Sequence, residues 1–300
     1  MYLAILPTKL FSMTKYRKFD SKKLNLKEKH QLLLASVAPR PIGFTASKSS
    51  DGIINLAPFS YHNAFSSNPP VVGISPAFSG RTGEPKNTLN NILDTKEFTL
   101  SVVTYDMVEQ MNICSSEYGS DVDEFEKSGL TKYRSNSISV PGVAESPLIL
   151  ECQFIKHVQF SDAPAGGNLL LGEIVYFHAR EDVYNEKDQI DPIKVDQVSR
   201  MGMNWYSRAN QGLFNLPAPR FLPIGVDNLP QEVKDSSYFT GKLLARLAYV
   251  EAIPEENVPF GLKEKYSQCN KDELLKTCAD FLQHNRIEEA WQLIHLGEMI

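Results

Sequence analysis

The stretch IGFTASKSSDGIINLAPF, from Ile42 to Phe59, holds two strand-like runs around Asp51-Gly52, a dipeptide that readily adopts the positive φ of a hairpin turn. It predicts an antiparallel hairpin. Downstream, Pro69-Pro70 lead into VVGISPA (Val71–Ala77), whose consecutive apolar residues predict a strand covered on both faces. Pro85-Lys86-Asn87-Thr88 then precede LNNIL (Leu89–Leu93), where Asn87 or Thr88 is expected to cap a short helix. EFTLSVVT (Glu97–Thr104) reads as another strand, followed by a helix from Asp106 to about Ser115 and an acidic stretch from Asp121 to Lys127. LILECQFIKHVQF (Leu148–Phe160) and NLLLGEIVYFHA (Asn168–Ala179) read as two long strands joined by a segment rich in Pro and Gly. Several strands with few helices between them predict a mainly β fold, a closed or nearly closed antiparallel barrel with peripheral helices, and disfavour a βαβ sheet.

After Pro219 the texture changes. ELLKTCADFLQ (Glu273–Gln283) and IEEAWQLIHL (Ile287–Leu296) repeat apolar residues every three to four positions, which predicts a helical extension. Met1–Met13 reads as a loose tail, and the residues after Pro219 as a mostly helical extension.

The totals narrow the class of function. A hydrophobic content of 42% over 300 residues supports a large core. A net charge of -5 with a pI near 5.8 disfavours a nucleic-acid surface, which needs clustered cations. Cys114, Cys152, Cys269 and Cys278 are scattered without paired spacing, as expected of buried thiols in a reducing cytosol. The histidines have no metal-ligand spacing, so no metal is expected. No window approaches the roughly 18 apolar residues of a membrane span, and a soluble protein is expected.

Polar groups concentrate in Pro39-Arg40-Pro41-Ile42-Gly43 and in Asn55 to Ala64, which includes Ala57, Pro58, Phe59, Ser60, Tyr61, His62 and Asn63. Strand ends can aim such groups at a ligand with apolar faces and a polar edge, as a flavin ring has. Arg81, Lys86, Asn87, Thr88 and the first N–H groups of the LNNIL helix could together hold a phosphate. Each element also has a plain structural use: Asn55, Ser60 and Asn63 as turn formers, Asn87 or Thr88 as a cap, Arg81 and Lys86 as solvated charges. Gly202 ahead of Trp205-Tyr206 could line an aromatic pocket, but the core, the usual place for large rings, is the expected position of that pair. No residue is singled out as catalytic.

Taken together, SVAPRPIGFTAS, DGIINLAPFSYHNAFSSNPPVVGIS, PKNTLNNI, EFTLSVV, MNICSSEYGSDVDEFEKSGL, VAESPLILECQF, LGEIVYFHA and MGMNWYSR resemble, in order and spacing, the flavin-reductase-like family of FMN-binding split barrels that includes flavoredoxin. The resemblance runs from about Glu28 to Pro217, which implies an N-terminal extension over 1–27, a β domain over 28–217 and a mostly helical C-terminal extension over 218–300. It implies a Greek-key type split barrel, a cytoplasmic homodimer with FMN near the interface, and a ring held by the segment from Asn55 to Asn63. It also implies electron transfer from NADH or NADPH to the flavin and onward, or, in a non-enzymatic alternative, an electron carrier or redox sensor. The family's Lys-Asp-Thr phosphate motif stands here as Lys86-Asn87-Thr88, with Asn in the expected capping role, and Arg40 of its Pro-Arg-Pro motif is carried over as a flavin or phosphate contact. IGVDNLP and FTGKLLARLAYVEAIP, Ile224–Pro230 and Phe239–Pro254, resemble an extension found in one branch of the family.

Overall fold

The computed structural model describes residues 15–215 and 223–299. The loose tail expected over Met1–Met13 and the domain boundary expected at 217/218 lie outside or at the edge of these residues. The described chain falls into two units, one spanning Lys18–Phe214 and one built mainly from the C-terminal helices.

In the first unit the hairpin forms between β1 (Gly43–Lys48) and β2 (Ile54–Phe59), antiparallel with Gly43 opposite Phe59 and Lys48 opposite Ile54. Gly52 supplies the turn with a φ of 88°, and its N–H donates to the Ser49 carbonyl at 3.0 Å. β3 (His62–Ser67), β4 (Pro70–Ile74), β5 (Glu97–Val102), β6 (Leu148–Gln159) and β7 (Asn168–Ala179) complete one antiparallel sheet in the order β2-β1-β5-β6-β7-β4-β3.

That order forces the sheet to curl. β2 and β3 are its opposite edges, yet only Ser60 and Tyr61 separate them in the chain. Seven flat strands would put the edges about 29 Å apart, whereas three Cα–Cα steps reach at most about 11 Å. The sheet therefore rolls up until its edges meet. Among the described residues no ladder joins β2 to β3, so the barrel is split along this seam. At the seam Gly43 lets the His62 ring approach: a Cβ there would lie 3.0 Å from the ring.

The pleat sorts the hairpin's side chains into two environments. Phe44, Ala46 and Leu56 join Met107, Met111 and Phe125 in one apolar cluster, while Val72, Ile74, Ile92, Phe98, Leu100 and Leu170 form another. The alternate residues Ser47 and Asn55 are buried toward the helix Asn87–Thr95, which donates to Ser47 Oγ from Asn91 Nδ2 at 3.2 Å.

Three helices frame the barrel: α1 (Leu26–Ser36), α2 (Asn87–Thr95) and α3 (Val108–Ile113); a single turn, α4 (Glu124–Ser128), follows. A ribbon of Arg40–Pro41, Val198–Arg200 and Tyr206–Arg208 closes one end. Here one expectation is corrected. Trp205 is 69% exposed, because it sits in the tight turn between the last two ribbon strands, where its N–H donates to the Gly202 carbonyl at 3.2 Å and its side chain leaves the sheet.

The C-terminal helices Gly241–Ala248, Lys271–Gln283 and Ile287–Leu296 have a core of their own around the fully buried Trp291, whose indole N–H donates to the Leu247 carbonyl at 3.2 Å. Among the described residues no helix is long and apolar enough to cross a membrane, and no group of His, Cys, Asp and Glu could hold a metal ion.

Candidate functional site

A cavity of about 410 Å³ opens between β2 and the start of α2. Asn55, Ala57, Pro58 and Phe59 form one wall, the segment from Ser79 to Thr88 another, and Cys114 to Gly119 with Glu124 the remainder. Alternation along β2 explains the first wall, since Asn55 and Ala57 share one face of the strand.

Two cations stand at this cavity, and both are engaged by one carboxylate. Lys86 Nζ lies 2.9 Å from Glu117 Oε1, and Arg81 Nη2 contacts Glu117 Oε2. The Lys86 ammonium beside it, followed by the Arg81 guanidinium, holds the Glu117 carboxyl below its usual range. Lys86 occupies the N-cap position of α2 and gives no side-chain cap, so the positive end of the helix dipole is uncapped at the cavity wall. The expected cap by Asn87 or Thr88 is thus corrected. Both residues lie inside the first turn; Asn87 Nδ2 donates to the Tyr118 carbonyl at 3.5 Å, and the Thr88 hydroxyl turns to a buried acceptor on β2.

That acceptor belongs to a buried polar network. Thr88 Oγ1 donates to Asn55 Oδ1 at 2.6 Å, Asn55 Nδ2 donates to Glu124 Oε1 at 2.8 Å, and the Leu56 amide donates to Glu124 Oε2 at 2.8 Å. Asn55, Thr88 and Glu124 are all buried. Burial pushes the Glu124 carboxyl above its usual range against the opposing pull of the Leu56 and Asn55 donors. The network ties α2 and α4 to β2 and fixes which edge of Asn55 faces the cavity.

A second cavity of about 670 Å³ shares Pro58, Phe59, Ser79 and Lys86 with the first. Its other walls are Ser60, Tyr61, Ser75, Ala77 and Phe78, together with Leu26, Lys27 and His30 from α1. Phe59, Tyr61 and Phe78 give it a mostly apolar surface, and burial raises the Tyr61 phenol, with Arg40 opposing.

Of the residues singled out in the sequence, Asn55, Ala57, Pro58, Phe59, Arg81, Lys86, Asn87 and Thr88 line the first cavity, while Ser60 and Tyr61 line the second. Arg40 lines neither. Its buried guanidinium donates to the carbonyls of Leu34 at 2.7 Å, Val37 at 2.6 Å and Met201 at 2.9 Å, so it clamps the end of α1 to the ribbon. Burial lowers its pKa. Asn63 also stands apart, exposed on β3, with Oδ1 accepting from the Ala64 amide at 2.9 Å. His62 is turned into the seam, its Nδ1 3.0 Å from the Gly73 carbonyl, and burial lowers its pKa.

Sequence reasoning passed over the whole wall from Cys114 to Gly119 with Glu124, in which Glu117 and Glu124 are the charged members. Both fall in a polar, acidic segment that reads as solvated surface. A signal existed in Asp123, whose side chain caps the Phe125 amide and so turns Glu124 inward.

Comparison with known proteins agrees with this architecture. The model of the flavin reductase like domain matches residues 35–208. A protein of uncharacterised function from Halalkalibacterium halodurans is 35% identical over 211 residues, covering 67% of this chain and 96% of its own. Among solved structures, component B of nitrilotriacetate monooxygenase from Bacillus cereus aligns with a TM-score of 0.63 at 28% identity, over 67% of this chain and 99% of that one. The 2-nitrobenzoate 2-nitroreductase of Pseudomonas fluorescens aligns with a TM-score of 0.60 at 30% identity, over 69% and 98%. With a domain match over more than half its length and a rolled, unclosed sheet of the same kind, the chain belongs to the flavin reductase-like family of split-barrel proteins.

Proposed function

We propose that this chain is an oxidoreductase that binds FMN in the paired cavities and passes electrons from a reduced nicotinamide nucleotide, NADH or NADPH, to an acceptor. The observation that carries the reading is one of position. Arg81, Lys86 and the uncapped start of α2 gather at one cavity, beside the wall made by Asn55 to Phe59. The residues fit the cofactor. The two cations grip a carboxylate, which supports their use as a donor set for an anion, and the first cavity falls in the range of roughly 300–1,000 Å³ usual for small-molecule sites.

Bound FMN would supply the redox chemistry, accepting a hydride equivalent from the nicotinamide and releasing electrons to the acceptor. The chain's part is to bind and orient. Lys86, Arg81, Asn87 and Thr88 are assigned to the phosphate through charge-assisted hydrogen bonds and helix N–H groups. Asn55 and the segment from Ala57 to Tyr61 are assigned to the ring and its polar edge. The second cavity, apolar and next to Phe59, is assigned to the nicotinamide or acceptor. Arg40 and Asn63 are left out of the binding set, since neither lines either cavity: Arg40 donates to three carbonyls and to Ser60 Oγ, and Asn63 is exposed on β3. The similar monooxygenase component and nitroreductase bear names that fit such electron delivery. On the same reading the protein works in the cytoplasm as a homodimer with FMN near the interface.

The test is the absorption spectrum of the purified protein reconstituted with FMN, followed by anaerobic addition of NADH and of NADPH. Bleaching of the yellow band by either nucleotide is expected. A protein that takes up FMN but is bleached only by dithionite is a carrier, and one that takes up no FMN refutes the reading.

A further inference from the structure

Glu117 stands where the reading above places the phosphate. Its two oxygens reach two different cations, Oε1 to Lys86 and Oε2 to Arg81, and among the described residues these are the only ion pairs that either cation makes. Glu84 also lines the cavity, but its carboxylate accepts from the Thr82 hydroxyl at 3.3 Å. The trio of Arg81, Lys86 and Glu117 has a net charge of one positive, whereas the two cations alone offer two. A phosphate cannot use both cations fully while the carboxylate remains between them. Glu117 is also free to leave: its side chain is about half exposed, and it lies in the loop after α3.

We propose that Glu117 is a built-in competitor for the anion end of the cavity, so that FMN binds only by displacing this carboxylate and is thereby kept exchangeable. The inference rests on the FMN reading and deepens it. The chain carries its own weak anion, which fills the cation pair when flavin is absent and opposes the phosphate when flavin arrives. The two ion pairs that must be broken are exposed and individually weak. Removing the charge should therefore tighten FMN by roughly threefold to tenfold. Riboflavin, which lacks the phosphate, should gain nothing.

The alternative role for Glu117 is to hold Arg81 and Lys86 in position for the phosphate, and it predicts the opposite sign. Glu117→Gln and Glu117→Ala, with Lys86→Ala and the double variant Lys86→Ala/Glu117→Gln, separate the two by equilibrium titration of flavin fluorescence with the apoprotein. Inorganic pyrophosphate is titrated in parallel by its displacement of FMN and by thermal shift. Competition predicts tighter FMN and tighter pyrophosphate for both Glu117 variants, unchanged riboflavin, and a smaller gain from Glu117→Gln once Lys86 is gone. Weaker or unchanged FMN and pyrophosphate in both variants overturns the inference. Absence of FMN uptake by every protein overturns the FMN reading, and pyrophosphate then decides alone whether Glu117 blocks an anion site.

Discussion

Replacing Glu124 by Gln removes one charge and almost no volume, and the network around it allows the outcome to be worked out. The carboxylate accepts from two donors, Asn55 Nδ2 and the Leu56 amide, both at 2.8 Å. A glutamine can accept from only one of them, because its second position becomes an NH2 group. Turning Asn55 over moves the mismatch without removing it: Thr88 Oγ1 would then accept from Asn55 Nδ2, and its own proton, which Asn55 Oδ1 takes at 2.6 Å, would lose that acceptor. One buried donor is left unmatched, at a cost of about 1–3 kcal/mol. Burial disfavours the wild-type charge and raises the Glu124 pKa, so the variant recovers part of that cost, which places the net effect in the lower half of the range. The Leu56 amide reports it directly. Its hydrogen exchange should speed up by about fivefold to thirtyfold at neutral pH, as about 1–2 kcal/mol implies. Global unfolding is a poorer assay because the two units need not melt together. Exchange at Leu56 that is unchanged or slower would mean that burying the charge outweighs the hydrogen bonds, and the network argument would fail.

Arg40→Ala should destabilise the barrel by about 2–4 kcal/mol, since three carbonyls lose a charged donor, and urea unfolding followed by amide exchange in α1 and the ribbon measures it. FMN affinity within twofold of wild type among the folded fraction is expected; a much larger loss would return Arg40 to the binding set. His62 predicts a pH dependence. Its folded pKa lies below the ordinary value of 6.5, so the unfolded chain takes up the proton first and stability, present above pH 6.5, is lost as pH falls below it. The difference in urea midpoint between wild type and His62→Asn should therefore shift against wild type between pH 7.5 and 5.5, and a constant difference would refute the assignment. Gly172→Ala puts a methyl group 2.4 Å from the ring of the fully buried Phe98 and should cost about 1–3 kcal/mol by denaturant titration, whereas a neutral result would mean that the ring can yield.

Much of the barrel was legible because its signals are local. The hairpin of Ile42–Phe59 announces itself by Asp51-Gly52 and its flanking runs, and both long strands by β-branched and aromatic residues. The site was partly legible for the same reason, since Asn55 to Phe59 and Arg81 to Thr88 are two contiguous segments that the fold brings to one cavity. What escaped depends on distant partners. Arg40 reads as a free cation until the carbonyls of Leu34, Val37 and Met201, the last 161 positions on, accept from its guanidinium. Glu124 looks like solvated acid until Asn55, 69 positions earlier, meets it in the interior. Trp205 looks like core until the ribbon turn leaves its ring outside. Composition records what a side chain favours, and in these cases the register of remote strands decided whether that preference was met.

The two-residue passage from Phe59 to His62 has a mechanical consequence. It works as a clasp: one short covalent strap holds the roll closed where no ladder does, and the cavity wall at Pro58 and Phe59 is anchored to one end of it. A circularly permuted chain opened between Ser60 and Tyr61 would keep every interstrand hydrogen bond yet lose the strap. Its sheet would be free to unroll into a ribbon with two bare edges, a shape that invites pairing with other copies and leaves the cradle half built.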